Sequence, residues 1–130
     1  MPVPTRATYS LEAKIAANTA FRDLIDSKPG NGYLSLKDSA DGQIAYFDLT
    51  VPCGTVSPTT GKLTLTTEVT TKYAEGDYDI AYAVITDAYG VEHLMLPAQE
   101  GSAPVSGKIV MSSTHVSNGA PIEIVSFEID

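Results

Sequence analysis

The chain has 130 residues, 43% of them hydrophobic and 18% charged, which is the amount of sequence one domain uses. A domain of this size buries roughly two-thirds of the surface its unfolded chain exposes, so it needs neither a disulfide nor a metal to fold, and its single cysteine, Cys53, excludes an intrachain disulfide. The formal net charge of −8, with eight scattered basic residues, excludes sequence-independent binding of nucleic acid and disfavours an anionic membrane surface, because both need clustered Lys and Arg.

The first nine residues, "MPVPTRATY", carry two prolines that fix φ and remove two backbone donors, so the segment is expected to be extended. It reads either as a frayed terminus or as an arm lying on a neighbouring subunit. It has no apolar h-region and so does not read as a signal peptide, and no run of 18 apolar residues follows, so the protein is expected to be made and kept in a reducing cytoplasm, or to assemble there. Residues 10–27, "SLEAKIAANTAFRDLIDS", are the one good helix. Ser10 stands at the N-cap and Glu12 in the first turn, near the positive end of the dipole. Leu11, Ile15, Phe21 and Ile25 share a side of the wheel that Asn18 and Arg22 interrupt, and "KPGNG" stops the helix.

Beyond Gly32 the apolar period changes from near 3.6 to 2. Seven strands are predicted, at 33–38, 43–51, 62–69, 78–87, 91–97, 107–112 and 122–129, separated by Gly-, Pro- and Ser-rich breakers. Alternating strands at this spacing predict a mainly β domain over 10–130, an antiparallel β-sandwich, jelly-roll-like fold or barrel with one short N-terminal helix. The uncharged stretch 52–61, "PCGTVSPTTG", is long for a hairpin and is expected to be a crossover or a contact loop. In "GDYDIAYAVITDAYGVEHLMLPA" (76–98) the parity Tyr78, Ile80, Tyr82, Val84 is bulky and expected inside. The parity Asp79, Ala81, Ala83, Ile85 is smaller and expected half exposed. The return strand carries apolar residues on both parities, so the hairpin needs cover on both faces: a second sheet on one, and the helix or another subunit on the other.

No catalytic motif stands out. Asp38 and Asp41 of "DSADG" suit turn chemistry better than a calcium loop, which needs six or more oxygens. Glu75, Asp77 and Asp79 suit a solvated acidic turn, and His93 and His115 stand apart with no Cys/His cluster for a metal. There is no Gly-x-Ser-x-Gly elbow, no phosphate loop before a helix and no motivated carboxylate pair. The reading is a non-enzyme with no cofactor and no metal. The seven tyrosines, at 9, 33, 46, 73, 78, 82 and 89, suit core or interface positions better than a sugar platform.

Three stretches carry a resemblance. "AANTAFRDLIDSKPGNGYLSLKD" resembles a helix followed by "LID…G.L.IYDG". "YFDLTVPCGTVSPTTGKLTLT" resembles "LATLTLSDPAFG…GGVLTAN". "VSGKIVMSSTHVSNGAPIEIVSFEID" resembles "L.LNSTSIVAGDTVSVTSFTIT". These are patterns of the head decoration, or cement, proteins of tailed bacteriophages, and the likeness spans about residues 13–129. It departs at Tyr82-Ala83, where those proteins often show Trp-Phe, a difference that bears on core packing and on the oligomer. The resemblance implies a structural virion protein on the outer surface of the capsid. Its partners would be the major capsid protein and itself, as a trimer or dimer, with no nucleic acid and no membrane. The alternatives are a tail or head–tail connector subunit and a glycan-binding β module of a fibre. The expected contact residues are the arm, Pro2, Val3, Pro4, Thr5 and Arg6, and the loop at Val56, Ser57 and Pro58.

Overall fold

The helix is set by its caps. In the computed structural model, which describes residues 10–129, α1 spans Leu11–Ile25. The Ser10 hydroxyl accepts the Ala13 N–H at 3.1 Å, and the Asp26 N–H donates to the Arg22 carbonyl at 3.1 Å to close the last turn. Asn18, which breaks the apolar stripe in sequence, is buried, and its amide donates to the Gly61 carbonyl at 2.6 Å. The polar interruption is therefore the tether that fixes the helix to the barrel, and Ile25, fully buried, is its main apolar anchor.

Ten strands follow: β1 Tyr33–Lys37, β2 Gln43–Val56, β3 Leu63–Thr67, β4 Thr71–Tyr73, β5 Tyr78–Asp79, β6 Tyr82–Thr86, β7 Glu92–Glu100, β8 Lys108–Met111, β9 His115–Val116 and β10 Pro121–Ile129. The protein is mainly β with one N-terminal helix, as its periodicity predicts. The sheet order is β3-β2-β1-β6-β7-β8-β10, with β4 on the end of β10 and a further β3–β10 pairing that closes the sheet on itself. Every pairing is antiparallel except β7–β8, which is parallel from Ala98↔Ile109 to Glu100↔Met111. Closure removes most of the free edges on which strands of other molecules could pair. The interior is filled by Leu34, Leu36, Phe47, Leu49, Ala83, Ile85, Ile109 and Met111, all fully buried, with Ile25 from the helix in the same cluster.

Three departures from the sequence reading have physical causes. First, β2 runs past residue 51 to Val56. The ladder to β3 shifts register between Leu49 and Gly54, and the cis Val51–Pro52 peptide lies in that bulge, where the proline costs no ladder bond. The long loop thus shrinks to a turn, closed by the Gly61 N–H on the Ser57 carbonyl at 2.9 Å. Second, the strand expected over 78–87 breaks at Ile80–Ala81. Its first part pairs with β9, while the Ala81 N–H turns to the Lys37 carbonyl at 2.8 Å. The break shifts parity by one residue, so Ile80 is in the core and Ala83 and Ile85 follow it there, while Tyr82 and Val84 face outward. This reverses the expected facing from Tyr82 to Ile85, while Ile80 lies inside and Tyr78 packs against the core as expected. Third, β7 continues past Pro97 to Glu100. Pro97 is its last residue opposite β6, and from Ala98 the strand changes partner to β8.

Gly54 marks the tightest approach of β2 to β3: a Cβ there would stand 2.3 Å from the Thr64 carbonyl oxygen. Gly54→Ala forces the two strands apart beside the buried Leu65, and a loss of about 2–3 kcal/mol is expected in urea denaturation. A midpoint within error of the parent would show that the bulge has room to spare.

Candidate functional site

Because the parity is fixed by closure, the residues that face away from the core on β2, β1, β6 and β7 are also fixed. The register aligns Tyr46, Ser35, Val84 and Met95 in one row across the four strands. The next row is Gln43, Lys37, Tyr82 and Pro97. Ser35 and Val84 in the middle are buried, but Tyr46 is 48% and Met95 62% exposed. The helix packs chiefly against β2 and β3, so the cover expected for this face does not come from α1. The row therefore leaves apolar surface open only at its two ends, Tyr46 and Met95.

On the β6–β7 side the row opens into a groove of about 670 Å³. Val84, Met95 and Pro97 supply apolar lining, and Lys37, Asp41, Tyr82 and Glu92 its polar groups. The Tyr82 hydroxyl donates to Asp41 Oδ1 at 2.6 Å. That bond, with burial and the nearby carboxylates of Asp41, Glu92 and Asp38, pushes the phenol up to about 12, so it stays a proton-bearing donor at neutral pH. On the β2 side Tyr33 and Tyr46 meet edge to face at 6.2 Å. Lys72 lies 4.3 Å from the Tyr46 ring centroid and donates to the Tyr46 carbonyl.

The ionisable groups elsewhere mostly serve the backbone. Asp38 Oδ1 accepts the Ala40 and Gly42 N–H groups at 2.9 and 2.8 Å, the turn chemistry that "DSADG" predicts. Glu100 Oε1 accepts the Thr114 N–H at 3.0 Å, and with the Thr114 and Ser113 hydroxyls this holds its carboxyl below the usual range. Asp77 accepts the Asn118 N–H at 2.8 Å, and Asp79 pairs with His115 Nδ1 at 2.6 Å on the surface. Among the described residues no group of three His, Cys, Asp or Glu is placed to hold a metal. Cys53 is fully buried; burial and then the Asp26 carboxylate push its thiol up to about 12, so it stays protonated and unreactive at neutral pH. This is the structure of a small core residue, as the "VPCG" context suggests.

Sequence reasoning missed the pair at the tip of the hairpin. Asp87, 2% exposed, accepts the Tyr89 and Val91 N–H groups at 2.9 and 3.1 Å through Oδ1, while Oδ2 meets His93 Nε2 at 2.9 Å. The spacing of Asp87 and His93 across "DAYG" was the available signal, but it becomes a contact only once the bulge at Thr86↔Glu92 is known. Of the residues singled out in the sequence, Val56 packs against the core and the Ser57 hydroxyl accepts the Thr59 and Thr60 N–H groups at 3.3 and 3.2 Å, which leaves only Pro58 exposed. This turn is at the opposite end of β2 from Asp41, so the structure does not bring it together with the groove. Pro2, Val3, Pro4, Thr5 and Arg6 lie outside the described residues. No family model matches the chain, and no curated protein or solved structure does.

The His93 contact, followed by the two backbone donors, lowers the Asp87 carboxyl below 3.8. A depressed folded-state value gives stability that is present above the unfolded pKa, near 3.9, and lost as the pH falls through the folded value. Asp87→Asn is therefore expected to be less stable than the parent at pH 7, with the two denaturation curves converging as the pH drops below about 4. A constant gap from pH 7 to pH 2 would show that the charge of Asp87 contributes nothing.

Proposed function

We propose that the chain is a structural virion protein, a decoration protein that binds the outer face of a phage head and ties neighbouring capsid subunits together. The observation that carries a contact role is the outward row Tyr46, Ser35, Val84, Met95, apolar at both exposed ends and uncovered by the chain's own helix. The phage head as partner rests on the resemblance of the three stretches and on the acidic balance of the chain, which suits the outside of a shell that confines nucleic acid. The groups that would make an acid–base or nucleophilic centre are otherwise engaged: Asp87 and Glu100 hold backbone N–H groups, Cys53 is a buried thiol, and the Tyr82 phenol is tied to Asp41. Binding in many copies lets a modest contact per subunit add up across the particle, since each neighbour raises the effective concentration of the next contact. A closed ring of copies, a trimer or a dimer, is the arrangement that symmetry favours at a shell axis.

Co-sedimentation of the purified protein with expanded shells and with unexpanded procapsids of one virus tests this. Saturable binding to the expanded shells alone is expected, at a stoichiometry that gives the axis occupied. Absence from both, with the protein recovered in isolated tails, would overturn the head assignment in favour of a tail subunit.

A further inference from the structure

Residues 113–119 join β8 to β10 and carry β9 between them. They have little apolar hold: Val116 is the one buried side chain among them, in the core cluster with Ala74 and Ile80. Their backbone hold is short as well. β9 meets β5 in two residue pairs, Tyr78↔Val116 and Asp79↔His115, which form a sheet of their own apart from the barrel. The Ile80 N–H donates to the Thr114 carbonyl at 2.7 Å, and the Gly119 N–H donates to the Ala74 carbonyl at 2.8 Å.

Three carboxylates supply further ties. Glu100, at the end of β7, accepts the Thr114 N–H at 3.0 Å and the Thr114 and Ser113 hydroxyls at 3.2 and 3.3 Å. Asp79 of β5 meets His115 Nδ1 at 2.6 Å, and Asp77, just before β5, accepts the Asn118 N–H at 2.8 Å. Thr114, His115 and Asn118 are thus each tied by an acid. Asp79, Asp77 and Glu100 all act on His115; Glu123 of β10 lines the same hollow as Glu100, and Glu75 stands exposed in the bend before Asp77. A surface pair such as Asp79–His115 contributes little to global stability. Here the ties act on a segment with one apolar anchor, so they bear on its local opening.

We propose that residues 113–119 form an acid-sensitive clasp, held shut against Ala74 and Ile80 by Glu100, Asp79 and Asp77 while these are ionised, and opening as a unit, with the barrel intact, when they take up protons. A carboxylate that gains a proton loses the charge that makes its bonds to N–H and hydroxyl donors strong. The Thr114 backbone and hydroxyl bonds, with that of Ser113, hold the Glu100 carboxyl below its usual 4.5. Its tie is therefore complete above the unfolded value and is lost as the pH falls through the folded one. The Asp79 bond and charge, followed by the charges of Asp77 and Glu100, raise His115 above 6.5. Its share is complete below that value and is lost as the pH rises through the folded one. On the acid side His115 thus keeps its charge and loses its partner, and the clasp is tightest in mildly acidic solution between the two limits. The inference rests on these bonds and not on the decoration reading.

The test is amide hydrogen exchange of the full chain, read by NMR at pH 6 and pH 3 and corrected for intrinsic rates, with circular dichroism as the check on folding. Leu49 and Ser57, whose N–H groups bond the Gly32 and Lys62 carbonyls at 2.8 and 2.9 Å, are the barrel references. Between pH 6 and pH 3 the protection of the Thr114, Asn118, Ile80 and Gly119 amides is expected to fall at least tenfold further than that of the references. Ile80 and Gly119 decide the matter, because their bonds are to carbonyls and not to a titrating group. Loss confined to Thr114 and Asn118 would mean separate caps with no clasp, and overturns the proposal. So does an equal loss at the references, which is unfolding of the barrel, or no loss at all. Glu100→Gln and Asp79→Asn, which cannot ionise, are each expected to lower the protection of Ile80 and Gly119 severalfold already at pH 6 and to shrink its change with pH. Parent-like protection of Ile80 and Gly119 in both variants at pH 6 overturns the proposal as well.

Discussion

Two residue pairs, Glu128↔Thr64 and Ile129↔Leu63, join the last strand to β3 and turn an open sheet into a barrel. Everything else about the molecule's surface depends on that join. Once the sheet is closed, one parity of every strand must fill the interior and the other must face out, and a slip by one residue would invert the whole wall. The Lys62 ammonium, 3.6 Å from Glu128 Oε1, stands beside this seam, but a half-exposed pair of that kind contributes little compared with the apolar residues it flanks. The closing force comes from Phe127, Leu63 and Leu65, buried together in the core cluster that also holds Ile25 of the helix.

The helix, its caps and the mainly β class were legible because they depend on local chemistry: Ser10 before an alanine-rich run, "KPGNG" after it, and period-two strands between turn residues. What stayed hidden depends on distant partners. Nothing local to 78–87 reveals that Tyr78 and Asp79 pair with Val116 and His115 instead of continuing into β6, and this one break reversed the facing of Tyr82, Val84, Ala83 and Ile85. A proline normally ends a strand, yet Pro52 sits inside β2 because a bulge takes it up, and Pro97 sits inside β7 because the strand changes neighbours there. Asn18 looked like a flaw in an amphipathic helix; its partner is a carbonyl 43 positions away.

The outward face of the wall was half legible. Apolar residues on both parities of the return strand signalled a hairpin wanting cover on two sides, and the wall does expose Met95, with its cross-strand partner Val84 buried beside it. The groove itself was not foreseeable, because it draws Asp41 from the β1–β2 turn, Tyr82 from β6 and Glu92 from β7, three segments with no shared sequence signature. The same scattering explains why no motif scan along the chain finds chemistry here. The carboxylates of Asp38, Asp87 and Glu100 are holding backbone N–H groups of turns and loops.

The central claim is that the outer wall of β6 and β7 is covered when the protein is at work. Hydroxyl-radical footprinting of Met95 measures this directly, because thioether oxidation follows solvent access. The label is compared between particles assembled with the protein and the free chain at high dilution, with Tyr73, 71% exposed on β4, as the reference. The account predicts that Met95 is strongly protected in the particle while Tyr73 is labelled at a similar rate in both. Equal oxidation of Met95 in the two states would mean that the wall stays open to solvent and that the contact surface lies elsewhere.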